Sequence, residues 1–428
     1  MKILLVNIAA LSQRLFDTFP GSLKVLERFE FKTPVEPVFP AVTCSAQATY
    51  TTGQSPSEHG IVANGWLFPD VGKPLFWEQN ARLCQSPRIW ELGAWKNALL
   101  FHQQSMGLGC QIISPRPIHK HWGGLVMATY SNPDRLQKEY EEKYGTFPLH
   151  RYWGPIASIE STKWIVASTL DVIKNENRDM VWTYIPHLDY CLQKYGPDHP
   201  RNKKELEELN GELEILFQGA EKEGFEIVVV GDYGIEPVDK VIPLALALRQ
   251  AGLYKMRTVK GREYPDFLGG KVIPVVDHQV AHIYCRGVEP DVVAKELQSL
   301  KGCRVVSRHD KEYGISHDRS GHLIAIADEG HWFSYKYWED NKKMPDYADH
   351  IAIHHKPGYD PCELFFKHKI PTSWPPKITL DESKVKGSHG VLHRACDKPL
   401  LLSTIRSTQE ESVAATEVAW FLRDLVSS

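Results

Sequence analysis

Short runs of apolar residues, each closed by turn-forming residues, punctuate the chain: Ile3 to Ile8, Asn97 to Phe101, Met180 to Ile185, Ile227 to Val230 and Leu400 to Ser403. Their continuous rather than alternating apolar character predicts strands buried on both faces, as in a parallel sheet. Between them, Thr162 to Asn175 and the charged stretch Asn202 to Lys222 return an apolar residue every three or four positions, which predicts amphipathic helices. Strand and helix in succession predict an α/β fold, a mostly parallel sheet with helices on both faces. In such a sheet, functional side chains gather in loops at the carboxyl ends of the strands.

From 241 to 384 the character changes. Pro, Tyr, Trp and His increase, and candidate strands such as VAHIYC (280–285) and HLIAIAD (322–328) alternate with turns. This reads as an inserted cap domain, leaving 1–240 and 385–428 as the core. The aromatic stretch HWFSYKYW (331–338) has two readings, a cover over an organic leaving group or a strand of the cap's own core. Gln103 to Tyr152, rich in aromatic and basic residues, is a candidate smaller lid.

A chain of 428 residues can bury a large core. With 50 basic against 53 acidic residues, a net charge of -3 offers no footprint for a nucleic-acid polymer and no polybasic membrane patch. The opening MKILLVNIAAL is too short an apolar run for a leader and reads as the first buried strand. No run approaches the roughly 18 apolar residues of a membrane span. Eight scattered cysteines without a CxxC pair point to reduced thiols and a cytoplasmic setting, and the oligomeric state is left open.

Candidate chemistry begins at 38–64, VFPAVTCSAQATYTTGQSPSEHGIVAN, where a polar turn feeds a small-residue helix. Its first turn would offer free N–H groups and a partial positive charge to a phosphate and to an attacking Thr43 or Cys44. The same residues would equally make a capped, buried helix. His and Asp gather at HLD (187–189), GDYG (231–234), DHQVAH (277–282), HHKPGYD (354–360) and GSHG (387–390). Converging imidazoles and carboxylates can hold a divalent metal, or can simply satisfy buried polar groups. His278 and His282, four apart, would share a side in a helix or a strand, or bond backbone groups in a cap strand. His389, between two glycines, is the strongest His-ligand candidate.

Taken in order, these pieces resemble the alkaline phosphatase superfamily, and within it the type I phosphodiesterase/nucleotide pyrophosphatase family with its phosphonoacetate hydrolase-like branch. The resemblance covers 1–240 and 385–428. VTCSAQATYTTGQSPSEHGIVAN resembles the nucleophile segment, with Thr43 on the nucleophile position and His59, Gly60, Ile61 and Asn64 on the downstream signature. HLDYCLQKYGPDHP resembles the metal loop with Asp189 on its Asp, VVVGDYGI resembles a loop that normally reads SDHGM, and GSHG resembles the closing His-Gly loop. The pattern is departed from where Asn7 and Ala9 replace an Asp ligand, Gln193 a His and Tyr233 a His, which leaves Asp189, Asp232 and His389.

The resemblance implies one or two divalent ions, zinc or manganese, with His278, His282 or His354 drawn in as replacement ligands and Cys44, Gln193 and Tyr233 facing substrate. It implies metal-dependent hydrolysis of a phosphodiester, pyrophosphate or phosphonate bond in a small metabolite. Thr43 would attack, while the N–H after it and the Asn64 amide would hold the phosphoryl oxygens. The alternative is a non-catalytic or biosynthetic-pathway protein that binds a phosphorylated metabolite in a degenerate site.

Overall fold

The computed structural model describes residues 1–114, 119–121, 124–126, 128–368, 376–392, 397–405 and 411–427. Lys2–Ile8, buried along all but its first residue, lies at the centre of a nine-stranded sheet. Phe225–Gly231 flanks it on one side, and Met180–Ile185, Asn97–Leu100 and Gln111–Ser114 follow in turn on the other, all parallel. Leu400–Ser403 runs antiparallel beside Phe225–Gly231, followed outward by Phe31–Glu36 and Val413–Ala414, and antiparallel Tyr130–Asn132 ends the opposite edge. Each apolar run predicted as a strand is one.

The central strand shows why both faces carry helices. Leu4, Val6 and Ile8 enter one apolar core together with Ile165 and Leu206, from the helices Ile159–Asn175 and Asn202–Lys222. Ile3 and Leu5 point the other way, to Ala46, Tyr50 and Val418 from the helices Thr43–Thr52 and Ala415–Ser427. Period-two alternation of a strand buried on both sides thus feeds two cores.

Val272–Asp277, Val280–Cys285, Leu323–Ala327 and Cys303–Ser307 form a separate four-stranded antiparallel sheet in that order. Phe333, Tyr335, Tyr337 and Trp338 are buried in the apolar core against this sheet, so these aromatic residues pack as core. Gln103 to Tyr152 is likewise no lid in its described parts. Gln111–Ser114 and Tyr130–Asn132 belong to the main sheet, with Arg135–Tyr144 a helix beside them, while 115–118, 122–123 and 127 lie outside the described residues. Among the described residues no helix is long and apolar enough to cross a membrane.

Candidate active site

Thr43 is the first residue of the helix Thr43–Thr52, after an extended Val42 that supplies no side-chain cap. Its Oγ1 lies 3.3 Å from the Tyr233 hydroxyl and 3.5 Å from that of Tyr184. Tyr184 is near the carboxyl end of Met180–Ile185 and Tyr233 follows Phe225–Gly231, so the site opens where parallel strands end. The Tyr233 hydroxyl donates to Asp189 Oδ1 at 3.2 Å. Asp189, in the first turn of the helix His187–Tyr195, receives Gln193 Nε2 on Oδ2 at 2.9 Å, and Tyr359 donates to Gln193 Oε1 at 2.7 Å.

His389 donates Nδ1 to the Ala41 carbonyl at 2.8 Å, which leaves Nε2 3.8 Å from Asp189 Oδ1. Its ring is part of a column. Tyr233 stacks on His389 with centroids 3.6 Å apart, His389 meets His278 at 3.9 Å, and His278 stacks on Tyr359 at 3.6 Å. Thr43 itself is buried, at 4 % exposure.

Burial sets the protonation states. It pushes the Asp189 carboxyl up to about 6 against the lowering effect of the bonds from Gln193 and Tyr233. Asp232 rises well above the carboxylate range, again through burial, although the Ala10 N–H holds its Oδ1 at 3.0 Å. Burial also drives His278 and His389 far below the usual imidazole value and Tyr233 above the usual phenol value, so all three are neutral.

Several expected roles change. Burial holds the Cys44 thiol far above its ordinary value, and Sγ is packed in an apolar core against Gln104 Nε2, a setting that disfavours a thiolate nucleophile. The Cys44 N–H donates to Asn64 Oδ1 at 3.0 Å, and Asn64 spends its Nδ2 and its backbone N–H on Asp277. The expected pair of phosphoryl-oxygen donors therefore binds each other and Asp277, which makes Asn64 a positioning residue. Gln193 has both arms engaged and positions Asp189 instead of contacting substrate.

The three cap histidines sit in different surroundings. His278 falls in the turn between two strands with φ 60°, so it shares no strand face with His282, and its Nδ1 is 2.7 Å from Asp277. His282 uses both nitrogens, Nε2 on the Val62 carbonyl and Nδ1 on the Gly321 N–H. His354 lies in a cleft with Lys73, Tyr264 and Pro357, its Nδ1 3.4 Å from the Phe76 carbonyl. Tyr184, Asp277 and Tyr359 are the site residues that sequence reasoning did not assign. Asp277 and Tyr359 lay inside clusters noticed for their histidines, and Tyr184 was hidden in an apolar run.

This arrangement defines an alkaline phosphatase-like α/β protein in which a threonine at a helix N-terminus meets Tyr233, Tyr184 and, through Tyr233, Asp189. Residues 3–360 match the sequence profile of type I phosphodiesterase / nucleotide pyrophosphatase. The chain belongs to that family, whose members are typically divalent-metal-dependent hydrolases. It is 23% identical over 224 residues to an uncharacterized pyrophosphatase/phosphodiesterase of Schizosaccharomyces pombe, covering 51% of this chain and 41% of that one. It therefore spans less than half the length of that relative. Phosphonoacetate hydrolase from Sinorhizobium meliloti, solved with phosphonoformate, superposes with TM-score 0.66 at 15% identity, over 100% of this chain and 96% of that one. Murine ectonucleotide pyrophosphatase / phosphodiesterase 5 gives 0.64 at 14%, over 100% and 95%.

The family's metal can be tested against the donors present. Among the described residues, Asp189, Asp232 and His389 do not bring three donor atoms within 4.8 Å of one another. Asn7, at a departed position, is tied by its amide to the Val230 carbonyl and to Gln47. A two-ion centre does not fit. A single ion would be held by the Asp189 carboxylate and His389, whose Nε2 lies 3.8 Å from Asp189 Oδ1, and would supply positive charge beside Thr43. The His389 Nδ1 bond to a carbonyl is the support a metal-bound imidazole usually has.

Proposed function

We propose that this chain hydrolyses a phosphodiester, phosphoanhydride or phosphonate bond in a small molecule, with Thr43 as nucleophile and one divalent ion, zinc or manganese, at Asp189 and His389. The observation that carries this reading is the chain of hydroxyls from Thr43 through Tyr233 to Asp189. Because Tyr233 donates to Asp189, its oxygen is free to accept the Thr43 proton. As Thr43 Oγ1 bonds to phosphorus, the P–O or P–C bond to the leaving group breaks with its electron pair going to that group, the Thr43 proton moves to Tyr233 and the Tyr233 proton moves to Asp189. With no ion bound, Asp189, raised to about 6 by burial, is mostly ionised at neutral pH and can receive it; an ion held at Asp189 would weaken it as an acceptor and would itself ease loss of the Thr43 proton. The helix N-terminus favours the negative charge gathering on the phosphoryl group. A bound ion would supply further positive charge to offset the phosphoryl oxygens. Water then attacks phosphorus, the Thr43 oxygen leaves and regains its proton from Asp189 through Tyr233, and the proton lost by the water goes to solvent.

The murine and S. meliloti proteins have been solved with AMP and with phosphonates, which supports a small phosphorylated substrate here. Seven free cysteines among the described residues, with Cys396 outside them, support a reducing cytoplasmic setting. The test is turnover of bis-p-nitrophenyl phosphate by chelator-treated protein with and without zinc or manganese, beside Thr43→Ala. Metal-stimulated turnover lost in Thr43→Ala supports the reading; equal turnover in the variant overturns it.

One observation favours a second reading, a binding protein for a phosphorylated metabolite. Thr43 is only 4 % exposed, with the Tyr233 and Tyr184 hydroxyls against its Oγ1. Saturable AMP binding with no turnover under any metal would select it.

A further inference from the structure

On the far side of the Asp189 helix lies a donor cluster that the Thr43 site does not use. His187 begins the helix His187–Tyr195, while Glu205 and Glu208 lie one turn apart on Asn202–Lys222, which packs against it. One nitrogen of His187 and one oxygen of each glutamate all lie within 4.8 Å of one another. The imidazole is almost sealed from solvent, at 4 % exposure. Its Nε2 comes within 3.2 Å of Glu205 Oε2, which lowers the Glu205 carboxyl below its ordinary value, but the two are not aligned as a good hydrogen bond. A buried imidazole nitrogen that meets a carboxylate without good hydrogen-bond alignment, with a second carboxylate close by, is a donor set that an ion could complete.

We propose that His187, Glu205 and Glu208 form a second, structural site for a divalent transition metal, with Zn²⁺ the best match to one imidazole and two carboxylates. The glutamates are only partly buried, so an ion can enter from solvent. Lys204, whose Nζ is 3.4 Å from Glu208 Oε1, is the cation it displaces, and its highly exposed side chain can swing away. A metal here would pin the start of the helix that carries Asp189, two residues beyond His187, to the long helix behind it. The site is independent of the Asp189–His389 pair.

The experiment titrates chelator-stripped full chain carrying His389→Gln, which disables the Thr43-site pair, with zinc chloride by calorimetry and follows the melting temperature. The expected result is one bound zinc and a melting temperature raised by zinc. Adding Glu208→Gln or Glu205→Gln should weaken zinc binding at least about tenfold and abolish the rise. In the otherwise natural chain, Glu208→Gln should lower the zinc count by one. Failure of His389→Gln to bind zinc, or unchanged affinity in both glutamine variants, overturns the proposal and leaves the reading of the Thr43 site untouched.

Discussion

The phenol of Tyr233 lies flat on the imidazole of His389, with ring centroids 3.6 Å apart and planes 5° from parallel. A tyrosine thus occupies a position where the family resemblance calls for a histidine ligand, and its hydroxyl joins Thr43 to Asp189. The stack fixes the ring, and the ring fixes the hydroxyl between nucleophile and carboxylate.

Tyr233→Phe keeps the stack and removes only the hydroxyl. Turnover should fall roughly 10²-fold, the lower end of what a positioned proton-transfer group contributes. Stability should change by only about 1 kcal/mol, the scale of a hydrogen bond. Parallel kcat and urea-unfolding measurements check it, and a kcat equal to that of the natural chain would remove Tyr233 from the proton path.

Gln193→His would add a third donor beside Asp189 and His389. Zinc affinity at that pair should rise at least about tenfold, read by competition with a chromogenic chelator. An unchanged affinity would mean that Asp189 and His389 do not hold the ion.

Burial pushes Asp277 up to about 6 from 3.8, so between those values the folded chain keeps a proton that the unfolded chain has released. Its contribution to stability therefore falls as pH rises through that window, and the full penalty stands above about 6. Asp277→Asn removes the titration. The stability advantage of the natural chain over the variant should shrink by on the order of 1–3 kcal/mol between pH 4 and pH 7, measured by urea unfolding. An advantage that grows with pH would contradict the assignment.

Lys356, buried to 1% exposure, reaches Asp360 at 2.7 Å and Glu363 at 2.8 Å, and Glu363 also receives the Trp153 indole N–H. This knot anchors the segment presenting Tyr359 to the column. Lys356→Ala leaves two buried carboxylates unpaired and should cost about 3–5 kcal/mol by urea unfolding. A loss under about 1 kcal/mol would show that the knot contributes little.

The sheet was legible because its strands are continuous apolar runs such as Met180–Ile185, whose position and type follow from burial on both faces. Thr43, Asp189 and His389 were legible because order and spacing carried them, and the structure does bring them together. The fate of the replaced positions was not legible. Whether Tyr233 and Gln193 face substrate or tie up Asp189 depends on contacts with His389 and Tyr359, far away in sequence. His278 misled for a local reason. Spacing cannot reveal a left-handed turn residue, and φ 60° at His278 breaks the periodicity that paired it with His282. Asn64 was found but its role was inverted, since only three-dimensional contact shows its amide already committed to Cys44 and Asp277.

The central claim is that Thr43 forms a covalent bond to phosphorus, and the direct measurement is peptide mass spectrometry after acid quench of a reaction with bis-p-nitrophenyl phosphate. The expected result is a p-nitrophenyl phosphoryl adduct on the peptide containing Thr43, absent from Thr43→Ala. Turnover without that adduct, persisting in Thr43→Ala, would contradict it.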